Sequence, residues 1–230
     1  VRKKVISMEH KPLPIGIENF EEMINKEYYY VDKTLFIKEL LDKMGKVNLY
    51  TRPRRFGKTL LLSMLKSYFD TEGDAKVFDG LKIMDAGDRY TSHMNKYHVI
   101  SLTLKSAKQN SFELAMGMLR TEFVREFDKN AYVLESNKID DRDKELFIRL
   151  KSGKADYSEY KITLKFLCEC IFKATGTKPI ILIDEYDVPL ESAYYNGYYD
   201  EMIDFMRSLF EGAFKTNDYL EFAVITGCLR

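Results

Sequence analysis

Cysteine and proline are scarce in this chain of 230 residues, its net charge is nil, and long apolar runs are missing. Only Cys168, Cys170 and Cys228 are present, an odd and sparse set that excludes a disulfide scaffold and points to a reducing, cytoplasmic setting. Thirty-six basic side chains match thirty-six acidic ones, so the chain lacks the overall electrostatic footprint of a dedicated nucleic-acid binder, and any such contact would be local. No apolar run approaches the roughly 20 residues that a membrane-spanning helix needs, and Val1-Arg2-Lys3-Lys4 is not followed by the apolar core of a secretory signal. His10, His93 and His98 share no metal-ligand spacing with each other or with the cysteines, which argues against a zinc site. What is present is 45% hydrophobic and 31% charged residues, the balance of a folded α/β domain rather than a disordered chain. The chain begins without Met and stops at Arg230 just after a strand-like run, so it reads as a section of a longer protein.

Periodicity divides the chain into a helical lead-in, residues 1–45, and an alternating core, 46–230. The lead-in carries a helix-like stretch from Ile17 to Lys26. Asp32 stands where an N-cap belongs before the helical spacing of Thr34 to Leu41, which Gly45 closes. Short strand-like runs start near 47, 99, 180 and 222. Between them lie helical stretches at 58–69, 111–127, 157–174 and 201–214, and the charge run Asp140 to Glu145 reads as a solvated loop or helix face. Cys168 and Cys170 fall on one of these helices as buried small hydrophobes. Such alternation demands a parallel sheet between helices, whose ligands bind beyond the carboxyl ends of the strands. The residues that matter should therefore follow Tyr50, Leu104, Ile183 and Ile225.

Three of those positions carry chemistry. After the first strand, Arg52-Pro53-Arg54-Arg55-Phe56-Gly57-Lys58-Thr59 matches the phosphate-binding pattern G-x-x-x-x-G-K-[ST] except at its first residue, where Arg52 replaces glycine. Backbone N–H groups from Pro53-Arg54-Arg55-Phe56-Gly57 into Lys58, Thr59 and Leu60 would cradle phosphates at a helix N-terminus, proline excepted because it has no N–H. Lys58 would reach the β/γ-phosphate oxygens, and the Thr59 hydroxyl would help coordinate magnesium. After the third strand, Ile180 to Ile183 runs into Asp184-Glu185. Asp184 suits a magnesium role, and Glu185 suits a base that polarises an attacking water. Thr226, ending the last strand, could hydrogen-bond the γ-phosphate or that water; Arg55 and Arg230 are further candidates for phosphate charge.

Five ordered blocks together resemble the AAA-ATPase-like family of P-loop NTPases: Lys11 to Phe20, Tyr29 to Thr34, Arg52 to Thr59 with Leu62 to Leu65, Leu182 to Asp187, and Thr226 to Arg230. Members are found in many bacteria and some archaea, have no settled biological role, and commonly carry a C-terminal domain resembling the PD-(D/E)XK nucleases. In that family the loop typically reads Arg-Pro-Arg-Arg-Phe-Gly-Lys, so Arg52 is the family's own variant. The resemblance implies a three-layer α/β/α fold with sheet order 5-1-4-3-2, the fifth strand falling beyond Arg230. It also implies ATP and magnesium as cofactors and a lead-in lying against the adenine, with Ile17, Phe20 and Tyr30 as candidate walls.

The function this implies is magnesium-dependent ATP binding, with hydrolysis at the β-γ phosphoanhydride. Glu185 favours hydrolysis, since many inactive relatives have lost that carboxylate. Two alternatives stand beside it: a nucleotide-gated switch with little turnover, and the ATPase half of an ATP-regulated nuclease. Nucleic acid would then be met only through a C-terminal domain outside these residues. A homo-oligomer is compatible with the family, and a membrane partner is not expected. No guanine-reading N/T-K-x-D motif follows a strand, which favours adenine.

Overall fold

A computed structural model describes residues 11–228. Its elements run in the order α1 (Phe20–Asn25), α2 (Leu35–Lys43), β1 (Val47–Thr51), α3 (Lys58–Phe69), α4 (Asp88–Thr91), β2 (Val99–Thr103), α5 (Phe112–Lys129), α6 (Asp141–Lys151), α7 (Tyr157–Tyr160), α8 (Thr163–Thr175), β3 (Ile180–Asp184), α9 (Val188–Asn196), α10 (Tyr199–Phe214) and β4 (Ala223–Gly227). The four strands form one parallel sheet in the order β1-β4-β3-β2. β3 and β4, flanked on both sides, are buried at every residue, which is why both read as continuous apolar runs.

Register sorts the strand residues onto two faces. Ile100, Leu102, Ile181, Ile183, Ala223 and Ile225 share one face with the buried sides of α5, α6, α8 and α10. Val99, Ile180, Leu182 and Val224 turn to the other, where they pack with Leu62, Leu65 and Phe69 of α3 and with Phe20, Ile37 and Leu40 of the lead-in. The lead-in is tied to α3 again by the Phe20 N–H, which donates to Ser63 Oγ at 2.9 Å.

The free edge of β2 is closed by side chains. The Ser101 N–H donates to Glu126 Oε2 at 3.2 Å, and Lys129 Nζ donates to the Val99 carbonyl at 3.1 Å. Two residues of α5 thus occupy backbone groups that could otherwise template another strand. At the opposite edge, Val47 and Leu49 of β1 remain 40% and 49% exposed.

Local expectations differ from the structure at several points. Asp32 is not the N-cap of α2; Thr34 holds that position, and Asp32 Oδ1 accepts from both its N–H and its hydroxyl while Oδ2 accepts from the Lys82 N–H. A tertiary contact has recruited the carboxylate that the local pattern assigned to capping. Helix α2 ends on Met44 in the left-handed region rather than on Gly45. The charge run at 140–145 is, of the two forms expected, a solvated helix face: it starts α6, capped by Asp140 and anchored by buried Phe147 and Leu150. The stretch from Tyr157 breaks at Lys161-Ile162 into two helices, and α9 was not apparent from periodicity because its tyrosines blur the apolar stripe. Cys168 and Cys170 are buried, and burial pushes the Cys168 thiol up to about 12 and raises that of Cys170 as well, leaving both unreactive. Among the described residues no helix is long and apolar enough to cross a membrane.

Candidate functional site

The loop between β1 and α3 sits beyond the carboxyl ends of the strands. Arg52 extends the sheet: its N–H donates to the Gly227 carbonyl at 3.1 Å, and its backbone stays out of the left-handed region. The first position of the motif therefore needs no glycine here. Positive φ angles fall instead on Arg55 (69°) and Gly57 (74°). A Cβ on Gly57 would meet nothing within 4 Å, so the backbone conformation, and not space, calls for glycine there. Gly57 also occupies the N-cap of α3 and brings no capping side chain, leaving the first-turn N–H groups of Lys58, Thr59 and Leu60 without a side-chain cap at the positive end of the helix dipole.

Three predicted residues meet around one carboxylate. Asp184 Oδ2 accepts from the Thr59 hydroxyl at 2.6 Å, and Oδ1 accepts from the Thr226 hydroxyl at 2.5 Å and from the Glu185 N–H at 3.0 Å. Asp184 is buried and Thr226 fully so, which makes these bonds the means by which a carboxylate is held at the sheet end. Lys58 Nζ lies across the loop, donating to the carbonyls of Arg52 (2.9 Å) and Pro53 (3.1 Å), with Cys228 Sγ at 3.5 Å. Glu185, in the left-handed region at φ 55°, is half-buried. Burial foremost, then the Asp184 charge, raises its carboxyl above the ordinary range, with Lys105 and Lys58 pulling the other way.

A cleft of about 600 Å³ opens over this cluster, lined by Arg54, Arg55, Gly57, Lys58, Thr59, Leu60 and Glu185 and, from the lead-in, by Pro14, Gly16, Ile17, Glu18 and Met23. It adjoins a cleft of about 250 Å³ whose walls include Met23, Tyr29, Tyr30, Val31, Leu61 and Met64; Pro14, Met23, Gly57 and Leu60 line both. Ile17 and Tyr30 thus reach the clefts. Phe20 does not: it is fully buried, packed edge-on to Tyr30 and tilted against Phe78, because its position in α1 faces α3. Phe56 projects outward at 62% exposure, and Arg54 reaches Glu191 of α9 at 3.4 Å. Arg230 lies outside the described residues. Pro14, Glu18, Met23 and Met64 were not singled out in advance; only the Lys11 to Phe20 block hinted at the first two.

Residues 14–230 match the family described as "Predicted AAA-ATPase". The chain belongs to the AAA-ATPase-like family. It is also similar to part of a larger protein, described as "Uncharacterized protein in vnfD 5'region" of Azotobacter chroococcum mcd 1, with 28% identity over 222 residues. That alignment covers 96% of this chain and 38% of the relative, so the chain spans well under half of that protein's length. No solved structure matches. The family match takes in both the phosphate-loop motif and the whole of the sheet.

Proposed function

We propose that this chain binds ATP with magnesium and hydrolyses its β-γ phosphoanhydride. The observation that carries the reading is the convergence of an uncapped helix N-terminus, Lys58, Thr59 and Glu185 on one cleft, with the buried Asp184 bonded to Thr59 directly behind it. Thr59 and Asp184 fit magnesium: they present hard oxygen donors side by side at the phosphate end of the cleft, as that ion prefers. When bound, the ion would neutralise charge on the phosphates.

The chain's own groups take the other roles. First-turn N–H groups of α3 receive phosphate oxygens. Lys58 exchanges the loop carbonyls for the β/γ-phosphates. Glu185 orients the attacking water and accepts its proton, and Thr226, fully buried and outside the cleft lining, acts by fixing Asp184 rather than by meeting phosphate. The apolar cleft beside Tyr30, Leu61 and Met64 receives the base, and the lead-in from Pro14 to Lys33 serves as its wall against the core. A fifth strand pairing with the outer edge of β1 would complete the order 5-1-4-3-2; that β1 pairs only with β4 among the described residues supports it.

Calorimetric titration with ATP and magnesium tests the reading. Lys58→Ala should abolish measurable binding, since a lost charge-assisted contact costs about 1.5–3 kcal/mol and each phosphate oxygen it meets adds to that. Glu185→Gln should bind as wild type and release no phosphate. Equal affinity in wild type and Lys58→Ala would refute the site; phosphate release surviving Glu185→Gln would favour a switch whose turnover does not use that carboxylate.

A further inference from the structure

The turn after β3 and the end of β4 are joined more closely than the proposed chemistry requires. The Tyr186 N–H donates to the Thr226 carbonyl at 3.2 Å, and the Cys228 N–H donates to Asp187 Oδ2 at 2.7 Å. Asp187 is 3% exposed, so its carboxylate has been taken out of water to make contacts of this kind. Between the two bonds sits Gly227. A Cβ built there would lie 2.6 Å from the Tyr186 ring and 2.7 Å from Asp187 Oδ1, distances that no real side chain keeps. The glycine is therefore demanded by the close approach of the Tyr186-Asp187 turn, and not by its own backbone angles.

The consequence lies at both ends of this junction. On one side, the turn begins with Glu185, whose N–H is itself bound by Asp184. On the other, Cys228 places its sulfur 3.5 Å from Lys58 Nζ, and Gly227 accepts from the Arg52 N–H of the phosphate loop. Asp187 is thus joined through Cys228 to the sulfur beside Lys58, and through its own turn to Glu185 and, by the Tyr186 N–H, to the Thr226 carbonyl.

We propose that Asp187 is a positioning residue: by pinning the backbone of Cys228 against the turn that carries Glu185, it holds Glu185, Thr226 and Lys58 in one fixed arrangement over the phosphate cleft. This rests on the ATP reading given above. A charge-assisted bond to a buried carboxylate can fix an orientation within the few tenths of an ångström that positioning demands, and small misplacements of a base are costly to turnover and nearly free for binding.

The test compares wild type, Asp187→Ala, Asp187→Asn and Gly227→Ala for Mg·ATP turnover and for amide hydrogen exchange at Cys228. Asp187→Ala should lower kcat by about tenfold or more while leaving KM within about threefold, since only the orientation of the reacting groups is lost. Asp187→Asn keeps an oxygen acceptor for the Cys228 N–H and should restore most of kcat. Cys228 amide exchange should be about tenfold faster or more in Asp187→Ala and close to wild type in Asp187→Asn. Gly227→Ala, which forces the turn away, should reproduce the kcat loss and carries the test if Asp187→Ala fails to fold. Wild-type turnover that persists undiminished in Asp187→Ala, with Cys228 exchange unchanged, overturns the positioning role alone. A wild type that binds no ATP overturns the nucleotide reading and this role with it.

Discussion

Glu126 offers a quantitative check on the packing of β2, independent of the proposed nucleotide cleft. Its carboxylate is buried against the edge of β2, accepting one backbone hydrogen bond from Ser101 at 3.2 Å. Burial pushes its pKa up to about 7, against the pull of Lys129 and of the Ser101 N–H. The folded state therefore binds a proton that the unfolded chain, titrating near 4.5, has already released. With the folded value raised, stability from this group is greatest at low pH and is lost as pH rises through about 7. The full difference is about 3 kcal/mol at 1.36 kcal/mol per pH unit, and most of it falls between pH 5 and 8.5. Urea unfolding of wild type and Glu126→Gln at those two pH values isolates the group, because every other titrating residue is common to both proteins. Glu126→Gln should gain about 2–3 kcal/mol on wild type over that interval. Equal pH slopes in the two proteins would refute the argument and place the carboxylate in water.

Other substitutions probe the site and the core. Thr226→Val removes a buried hydroxyl from Asp184 without changing shape and should cost about 1.5–3 kcal/mol of stability by urea titration; an unchanged midpoint would deny that hydroxyl a role in holding the carboxylate. Phe147→Ala should cost about 3–5 kcal/mol, because the ring is fully buried against Phe127 and anchors α6; a loss under 1 kcal/mol would mean that α6 is not part of the core. Because the Glu185 carboxyl of the free protein is raised, chiefly by burial, the acid limb of kcat/KM, which reports the free protein, should lie above the ordinary carboxylate range. A limb at the ordinary value would place the proton acceptor elsewhere.

Much of the architecture was legible because its signals are local. Four short β-branched runs separated by helical stretches imply a parallel sheet, and Gly57-Lys58-Thr59 after β1 and Asp184-Glu185 after β3 mark the sheet's carboxyl end. Two of the misreadings share one cause, a contact with a residue distant in sequence. Asp32 looked like a helix cap, but Lys82, distant in sequence, supplies a second donor; Phe20 looked like a wall for the base, but the α1–α3 contact turns it inward. Helix α9 escaped because Tyr194, Tyr195 and neighbouring polar residues obscure its periodicity.

Residue order alone determined the strands, the phosphate-loop motif and the acidic pair, since each depends on the conformational preferences and chemistry of adjacent residues. Only the tertiary structure decided that β4 lies between β1 and β3, and hence that Thr226 reaches Asp184 from 42 residues away in sequence. It also decided that Gly227 must lack a side chain because Tyr186 and Asp187 occupy the space. Contacts of that kind come from the order in which strands pair, and pairing is settled by burial across the whole sheet, which no local stretch encodes.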